Sequence, residues 1–406
     1  MAVGLSELPL LHPVSGIRLG TAAAGLRKPG RRDVVVIECA AGTEVAAVFT
    51  RNRFCAAPVL VARAHLTRGA PRALVINTGF ANAGTGEPGV QDAEATCRAL
   101  AEQLGCKAHE VLPFSTGVIG ERFPLDRLVR ALPEAARALN EGGWSDAARG
   151  IMTTDTVPKG AARQFTLDNR VVTVTGIAKG AGMIQPNMAT MLAFVATDAA
   201  VGRDVLAACL RGAADASFNR VTVDGDTSTN DACILLATGK AGNAVVDKID
   251  GGAHQALCAA VTEVCVELAQ AIARDGEGAT KFITVDVIDG PSEADCLEVA
   301  YAVANSPLVK TAFFASDPNW GRILAAVGRA RVERIDIERV AVWINDVCVV
   351  RNGSLASDYT EAAGKAAMSP AEIRVRISLG IGRHNACVWT CDFSHDYVSI
   401  NANYRS

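Results

Sequence analysis

Short β-branched stretches, each closed off by Gly, Asn or Pro, recur along this chain and are interrupted unevenly by Ala- and Leu-rich segments of helical period. Residues 34–38, 45–49, 59–62, 74–77, 171–175 and 340–344 read as strands. Residues 91–104, 125–140, 203–214, 255–274 and 319–327 carry apolar side chains at helical spacing. The strands gather towards both ends of the chain and are not each followed by a helix. That argues against a simple doubly wound sheet and predicts a mixed α/β protein of strand layers covered by helices. With 406 residues there is ample material for a large core. No internal repeat, low-complexity segment or long linker marks a boundary between domains.

Charge narrows the class of partner. The 40 basic and 43 acidic side chains leave a net charge of −3, with no long run of like charges. Nothing here attracts nucleic acid or an anionic membrane, so a small-molecule substrate is expected. Pro9, Pro13 and Gly16 interrupt the first thirty residues, and no later apolar run approaches the roughly 18–20 residues of a spanning helix, so the expected location is cytoplasmic. The 12 cysteines are scattered and form no CxxC, and they read as reduced thiols that pack like small apolar residues.

Common catalytic signatures are absent: there is no HExxH, no GxSxG and no GxxxxGK[ST]. Gly84, Gly86 and Gly89 match GxGxxG, but the first of them follows the strand-like Asn77 by seven residues, too late for a dinucleotide fingerprint. His384, Cys387, Cys391 and His395 resemble metal ligands in spacing. The intervening residues alternate like a strand, however, and four strand residues span roughly 13 Å, too far for two zinc bonds of ~2.3 Å. Asp224, Asp226 and Asp231 lie in a polar loop without the EF-hand pattern, and read as a hydrogen-bonded structural loop.

One segment stands apart. Residues 179–194 begin with Lys179, Gly180 and Gly182 and pass through Ala189 and Thr190 into an apolar run that reads as a buried strand. Taken alone, Thr190 is a half-buried strand hydroxyl. The whole stretch nevertheless resembles the processing and active-site motif of the glutamate N-acetyltransferases, or ornithine acetyltransferases, of arginine biosynthesis. Blocks at residues 49–59, 77–83, 115–120, 153–156, 217–231, 304–311, 317–322 and 401–406 resemble that family in the same order. The resemblance therefore runs along essentially the whole chain.

The resemblance implies the family's α/β layered, self-processing fold, with β-sheets packed by flanking helices. It implies cleavage between Ala189 and Thr190 into an N-terminal subunit, 1–189, and a C-terminal subunit, 190–406, each present twice in a heterotetramer. Attack of the Thr190 hydroxyl on the Ala189 carbonyl gives an ester that water hydrolyses. The new α-amino group, with an ordinary pKa of ~7.7–8, can then act as base for its own hydroxyl. Thr190 is the implied nucleophile of a ping-pong cycle that takes acetyl from N-acetylornithine, releases ornithine and delivers the acetyl to glutamate.

Other residues take roles by the same resemblance. Thr116 and the Gly117 backbone N–H form the oxyanion hole, where one donor contributes ~2.7–4 kcal/mol. Thr153 contacts substrate, with Thr154 as an alternative. Lys179 binds substrate, and Glu277, between two glycines in a close turn, orients an amine or assists proton transfer. Asn401 and Ser406 contact substrate, serine standing where the family commonly has threonine. No metal and no organic cofactor are implied. Some family members also accept acetyl-CoA as a donor substrate, and the motifs do not decide whether this chain does. The rival readings are an aminopeptidase or amidase on the related self-processing fold, and an amino-acid sensor without turnover.

Overall fold

Val34, Val35, Val36 and Ile37 are consecutive and apolar, and a strand with no polar face has to be covered on both sides. The computed structural model, which describes residues 2–5, 7–27, 29–185 and 191–403, covers it in that way. β1 (Ile17–Ala22), β2 (Val34–Cys39), β4 (Ala73–Phe80) and β5 (Val111–Val118) form one sheet in the order β1-β2-β4-β5. A second sheet runs β3 (Glu44–Phe49), β9 (Ala232–Ala237), β8 (Leu192–Thr197), β7 (Arg170–Lys179) and β6 (Lys159–Leu167).

The two sheets pack face to face. Val35, Ile37, Leu74 and Ile76 of the first meet Leu192, Phe194, Ile234 and Leu236 of the second in one apolar layer, with Phe114 edge-on to Phe194 at 5.2 Å between ring centroids. Alternate residues point the other way. Val34, Val36, Ala73 and Val75 pack under α2 (Gly86–Leu104) and α3 (Leu125–Arg137). Ala193, Val195, Cys233 and Leu235 pack under α5 (Arg203–Ala216) and α6 (Gly252–Arg274). The result is four layers, helix, sheet, sheet, helix, with α4 (Trp144–Gly150) contributing Trp144 and Ala148 to the inner one. By length and composition α6 is apolar enough to cross a membrane, and here Leu257, Val261, Val264 and Leu268 are buried in the core.

A third sheet orders β13 (Ser354–Leu355), β12 (Val347–Arg351), β11 (Ala341–Ile344), β14 (Glu372–Ser378), β10 (Phe282–Gly290) and β15 (His384–Cys391). Ile373, Val375 and Ile377 face the apolar layer formed with α7 (Glu293–Ala304), α8 (Pro307–Phe314), α9 (Trp320–Gly328) and α10 (Glu361–Met368). Glu372, Arg374 and Arg376 alternate outward. α11 (His395–Ala402) follows β15 and leads the chain back towards the sandwich.

Two readings of the sequence need revision. Residues 59–62 are not a strand but part of α1 (Ala57–Leu66). Pro58 sits in the first turn of that helix, where its missing N–H costs nothing, and burial of Val59, Val61 and Ala62 overrides their β preference. The strand before the glycine-rich stretch extends to Phe80, so Gly84–Gly89 lies closer to it than the sequence suggested and opens α2. There Asn82 Nδ2 donates to the Gly89 carbonyl and Thr85 Oγ1 donates to Asn82 Oδ1, at 2.9 and 2.8 Å. Cys387 and Cys391 do lie on one strand, and burial pushes their thiols up to about 12 and about 11.

Candidate active site

At one end of the sandwich the two sheets leave a cavity of about 250 Å³. β5 reaches it with Thr116 and Gly117, β7 with its last residue Lys179, and β8 with its first residue Leu192. Thr153, Thr154, Ser228, Asp231, Glu277 and Asn401 complete the polar lining from loops and α11. Six residues proposed from sequence, Thr116, Gly117, Thr153, Lys179, Glu277 and Asn401, thus surround one cavity although they are spread over most of the chain. Ala189, Thr190 and Ser406 lie outside the described residues, while Met191, which follows Thr190 in the chain, lines the cavity.

Lys179 is the cation of the site. Its Nζ donates to Thr116 Oγ1 at 2.8 Å and to Thr153 Oγ1 at 3.3 Å. Burial pushes its pKa down, and Asp155, Asp231 and Glu277 pull the other way. An ammonium held by two neutral hydroxyls keeps attraction in reserve for an anionic ligand group. Both threonines are also fixed by their backbones. Thr116 stands in the ladder of β5, opposite Thr78 of β4, and Thr153 N–H donates to Asp155 Oδ2 at 2.9 Å.

Behind this wall lies a buried ion triad that the sequence analysis missed. Lys159 Nζ donates to Asp155 Oδ1 and to Asp275 Oδ2, each at 2.6 Å, and all three side chains are at most 1% exposed. Asp155 Oδ1 also accepts from the N–H of Gly180, next to Lys179, at 2.7 Å. Burial alone raises the Asp155 pKa, but the Lys159 and Lys179 ammonium groups override it and hold the carboxyl well below its ordinary range. Asp275 accepts from Thr156 N–H at 2.9 Å and also from the Thr156 hydroxyl. The triad therefore ties together the chain segments that carry Thr153, Lys179 and Glu277.

Glu277 sits in the expected turn and is 6% exposed. Its N–H donates to the Ala181 carbonyl at 2.8 Å, and its Oε2 accepts from Asn401 Nδ2 at 2.8 Å. The carboxylate lies so close to Gly182 that a Cβ there would stand 2.4 Å from Glu277 Cδ. Asp224, read from sequence as part of a structural loop, accepts from the N–H groups of Met183 and Ile184 at 2.7 and 2.9 Å. It thereby fixes the same wall of the cavity. Because Asn401 comes from α11, deleting residues 401–406 is expected to lower turnover at least tenfold while leaving the far-UV circular dichroism spectrum unchanged. Unchanged kinetics would remove the C-terminal segment from the site.

Gly117 has φ +136°, and a Cβ there would lie 2.2 Å from the Gly79 carbonyl carbon and 2.6 Å from the Phe80 nitrogen. No side chain can yield, because the neighbours are backbone. Gly117→Ala is expected to force β4 and β5 apart at the cavity, costing about 1–3 kcal/mol of stability for the overpacking, with loss of turnover as well. A urea midpoint indistinguishable from wild type would contradict this.

A layered α/β frame with a preorganised lysine, two hydroxyls and two carboxylates around one cavity defines an enzyme acting on a small polar substrate. The chain belongs to the ArgJ family, whose pattern it matches over residues 18–406. It is 57% identical over 406 residues to the arginine biosynthesis bifunctional protein ArgJ of Pseudomonas fluorescens, covering 100% of both chains. It is 57% identical over 403 residues to the protein of that name from Methylococcus capsulatus, covering 99% of this chain and 98% of the relative. A crystal structure of the arginine biosynthesis bifunctional protein argJ from Bacillus halodurans aligns with a TM-score of 0.50 and 35% identity, spanning 52% of this chain and 98% of that one.

Proposed function

We propose that this chain cuts itself between Ala189 and Thr190 and then transfers acetyl from N-acetylornithine to glutamate through an acetyl ester on Thr190. The observation that carries the reading is the convergence of Thr116, Gly117, Thr153, Lys179, Glu277 and Asn401 on one cavity that Met191 also lines. The family resemblance implied those residues by motif alone, from positions far apart in the chain. The length of the solved relative adds support: 98% of it corresponds to only 52% of this chain, as a cleaved subunit would.

Each side chain has a task in this scheme. Lys179 meets the substrate carboxylate, its charge undivided by any direct ion pair among the described residues. Thr116 and the Gly117 N–H face the oxygen that becomes negative when the acetyl carbonyl is attacked. Glu277, oriented by Asn401, takes the cationic end of the substrate. The Thr190 α-amine accepts the hydroxyl proton. The relatives are described as bifunctional, so acetyl-CoA is proposed as a second donor substrate for acetylglutamate synthesis, with no resident cofactor. Two copies of each subunit would make the assembly a heterotetramer. The twelve free thiols fit a reducing, cytoplasmic setting.

The test is labelled N-acetylornithine with and without glutamate. The expected result is ornithine release that depends on glutamate, with label trapped on Thr190 when glutamate is withheld after a single turnover. Ornithine release at the same rate without glutamate would identify a hydrolase instead, and binding without release a sensor.

A further inference from the structure

Asp231 has no task in the scheme above, yet its side chain lines the cavity. It is 3% exposed, it borders the cavity directly, and its Oδ2 is buried with no hydrogen-bond partner among the described residues. A buried, unpaired polar oxygen costs about 1–3 kcal/mol, and a native fold rarely bears that without a use. Lys179 faces Asp231 from β7, but its Nζ donates to Thr116 and Thr153. The other groups that face this carboxyl are Cys55, from the segment before α1, and Ser228, which donates a hydrogen bond to it. Glu277 lies elsewhere on the cavity lining. Burial dominates these influences and holds the Asp231 pKa well above its ordinary value, which favours the protonated carboxyl.

The surrounding backbone allows this side chain little freedom. Thr50 N–H donates to the Asp231 carbonyl at 3.0 Å and Thr50 Oγ1 to the Ser228 carbonyl at 2.8 Å. Asn230 Nδ2 donates to the carbonyls of Ala81 and Ser115, at 2.6 and 2.9 Å. On the other side Ala232 N–H donates to the Met191 carbonyl at 2.9 Å. The segment 228–232 is therefore bolted to both sheets, and a rigid acid lies beside the strand that Met191 leads into.

We propose that Asp231 is a further catalytic residue, a general acid and base that gives its carboxyl proton to the departing amine of the donor and recovers one from the amine of the acceptor. The proposal rests on the acetyl-transfer reading. In the first half-reaction the bond from the acetyl carbon to the Thr190 oxygen forms and its bond to the donor nitrogen breaks. That nitrogen takes the Thr190 hydroxyl proton, relayed by the α-amine, and the Asp231 proton. Ornithine leaves as an ammonium and Asp231 is left ionised. In the second half-reaction the glutamate ammonium returns one proton to Asp231 and attacks as an amine, and its next proton passes to the Thr190 oxygen as the ester bond breaks. A poised acid of this kind contributes about 10²–10⁴-fold to a rate.

The experiment compares two donors in Asp231→Asn, after intact mass has established its cleavage state. With N-acetylornithine and glutamate, turnover is expected to fall about 100-fold or more. With p-nitrophenyl acetate, whose leaving group departs without a proton, the burst of p-nitrophenol from acetylation is expected to stay within about threefold of wild type. Equal losses with both donors would make Asp231 structural and overturn the proposal. Should Asp231→Asn fail to fold or to cut itself, Ser228→Ala supplies the reading. Removing a hydrogen bond to the carboxylate raises the Asp231 pKa further, so the alkaline limb of the rate profile must move to higher pH, and an unmoved limb overturns the proposal. A wild type that transfers acetyl from neither donor would instead defeat the acetyl-transfer reading itself.

Discussion

Replacing Thr190 by alanine is expected to leave one uncut chain of 406 residues with no measurable acetyl transfer, while the wild-type protein yields chains 1–189 and 190–406. The effect is large because one hydroxyl serves twice. In the proposed scheme it opens the Ala189 carbonyl during maturation and then carries the acetyl group through each turnover, so the variant is expected to lose both the cut and the covalent intermediate. Removal of a covalent nucleophile lowers turnover by about 10⁴–10⁶. Thr190→Ser keeps the hydroxyl and is expected to retain cutting, which separates loss of chemistry from loss of fold. Intact mass reads the first outcome and labelled acetyl the second. A wild type that stays whole yet transfers acetyl would disprove the proposed origin of the nucleophile.

Lys159→Met is expected to be the most damaging substitution outside the cavity. Lys159 holds two buried carboxylates, Asp155 and Asp275, at 2.6 Å each, and methionine fills similar space without charge. Two unpaired buried charges remain, and breaking such an arrangement costs about 3–5 kcal/mol. The variant is expected to lose that much in urea unfolding at neutral pH. The acid side provides a second signature. The Asp155 pKa is depressed in the folded chain, so its contribution is complete above the unfolded value of ~3.9 and is lost as pH falls towards the folded one. Wild type should therefore lose stability below about pH 4, and the variant should lose less over the same interval. Equal acid slopes would show that Lys159 does not set the charge of Asp155.

The strands that form the sandwich core were legible because each is a short, mostly apolar run set off by turn-forming residues. Residues 34–38, 45–49, 74–77 and 171–175 fall on β2, β3, β4 and β7. The stretch at 59–62 was misread because β-branched side chains serve equally well on a buried helix face, and only Pro58 hinted at a helix start. Within the site, Lys179, Thr116, Gly117, Thr153, Glu277 and Asn401 were accessible through motif resemblance, not through the physics of their own neighbourhoods. The triad was missed for a different reason, and Asp231 was read only as part of a structural loop. Their character comes from partners such as Asp275, far from Lys159 in the chain, and from desolvation, which has no local sequence mark. The short spacing of Asp155 and Lys159 was visible, but it is compatible with any exposed pair.

The arrangement of the second sheet bears on what a break after Ala189 can and cannot do. β3, β7 and β6 precede that point and β9 and β8 follow it, yet the strand order is β3-β9-β8-β7-β6. The later piece is thus clasped between earlier strands along two seams, Glu44–Phe49 against Ala232–Ala237 and Val174–Lys179 against Leu192–Thr197. Pulling the pieces apart would unzip both seams and bare the apolar layer between the sheets, so the halves of a chain cut there would be expected to stay together. On the proposed reading, a cut made in the folded chain would leave its two pieces interleaved in one sheet.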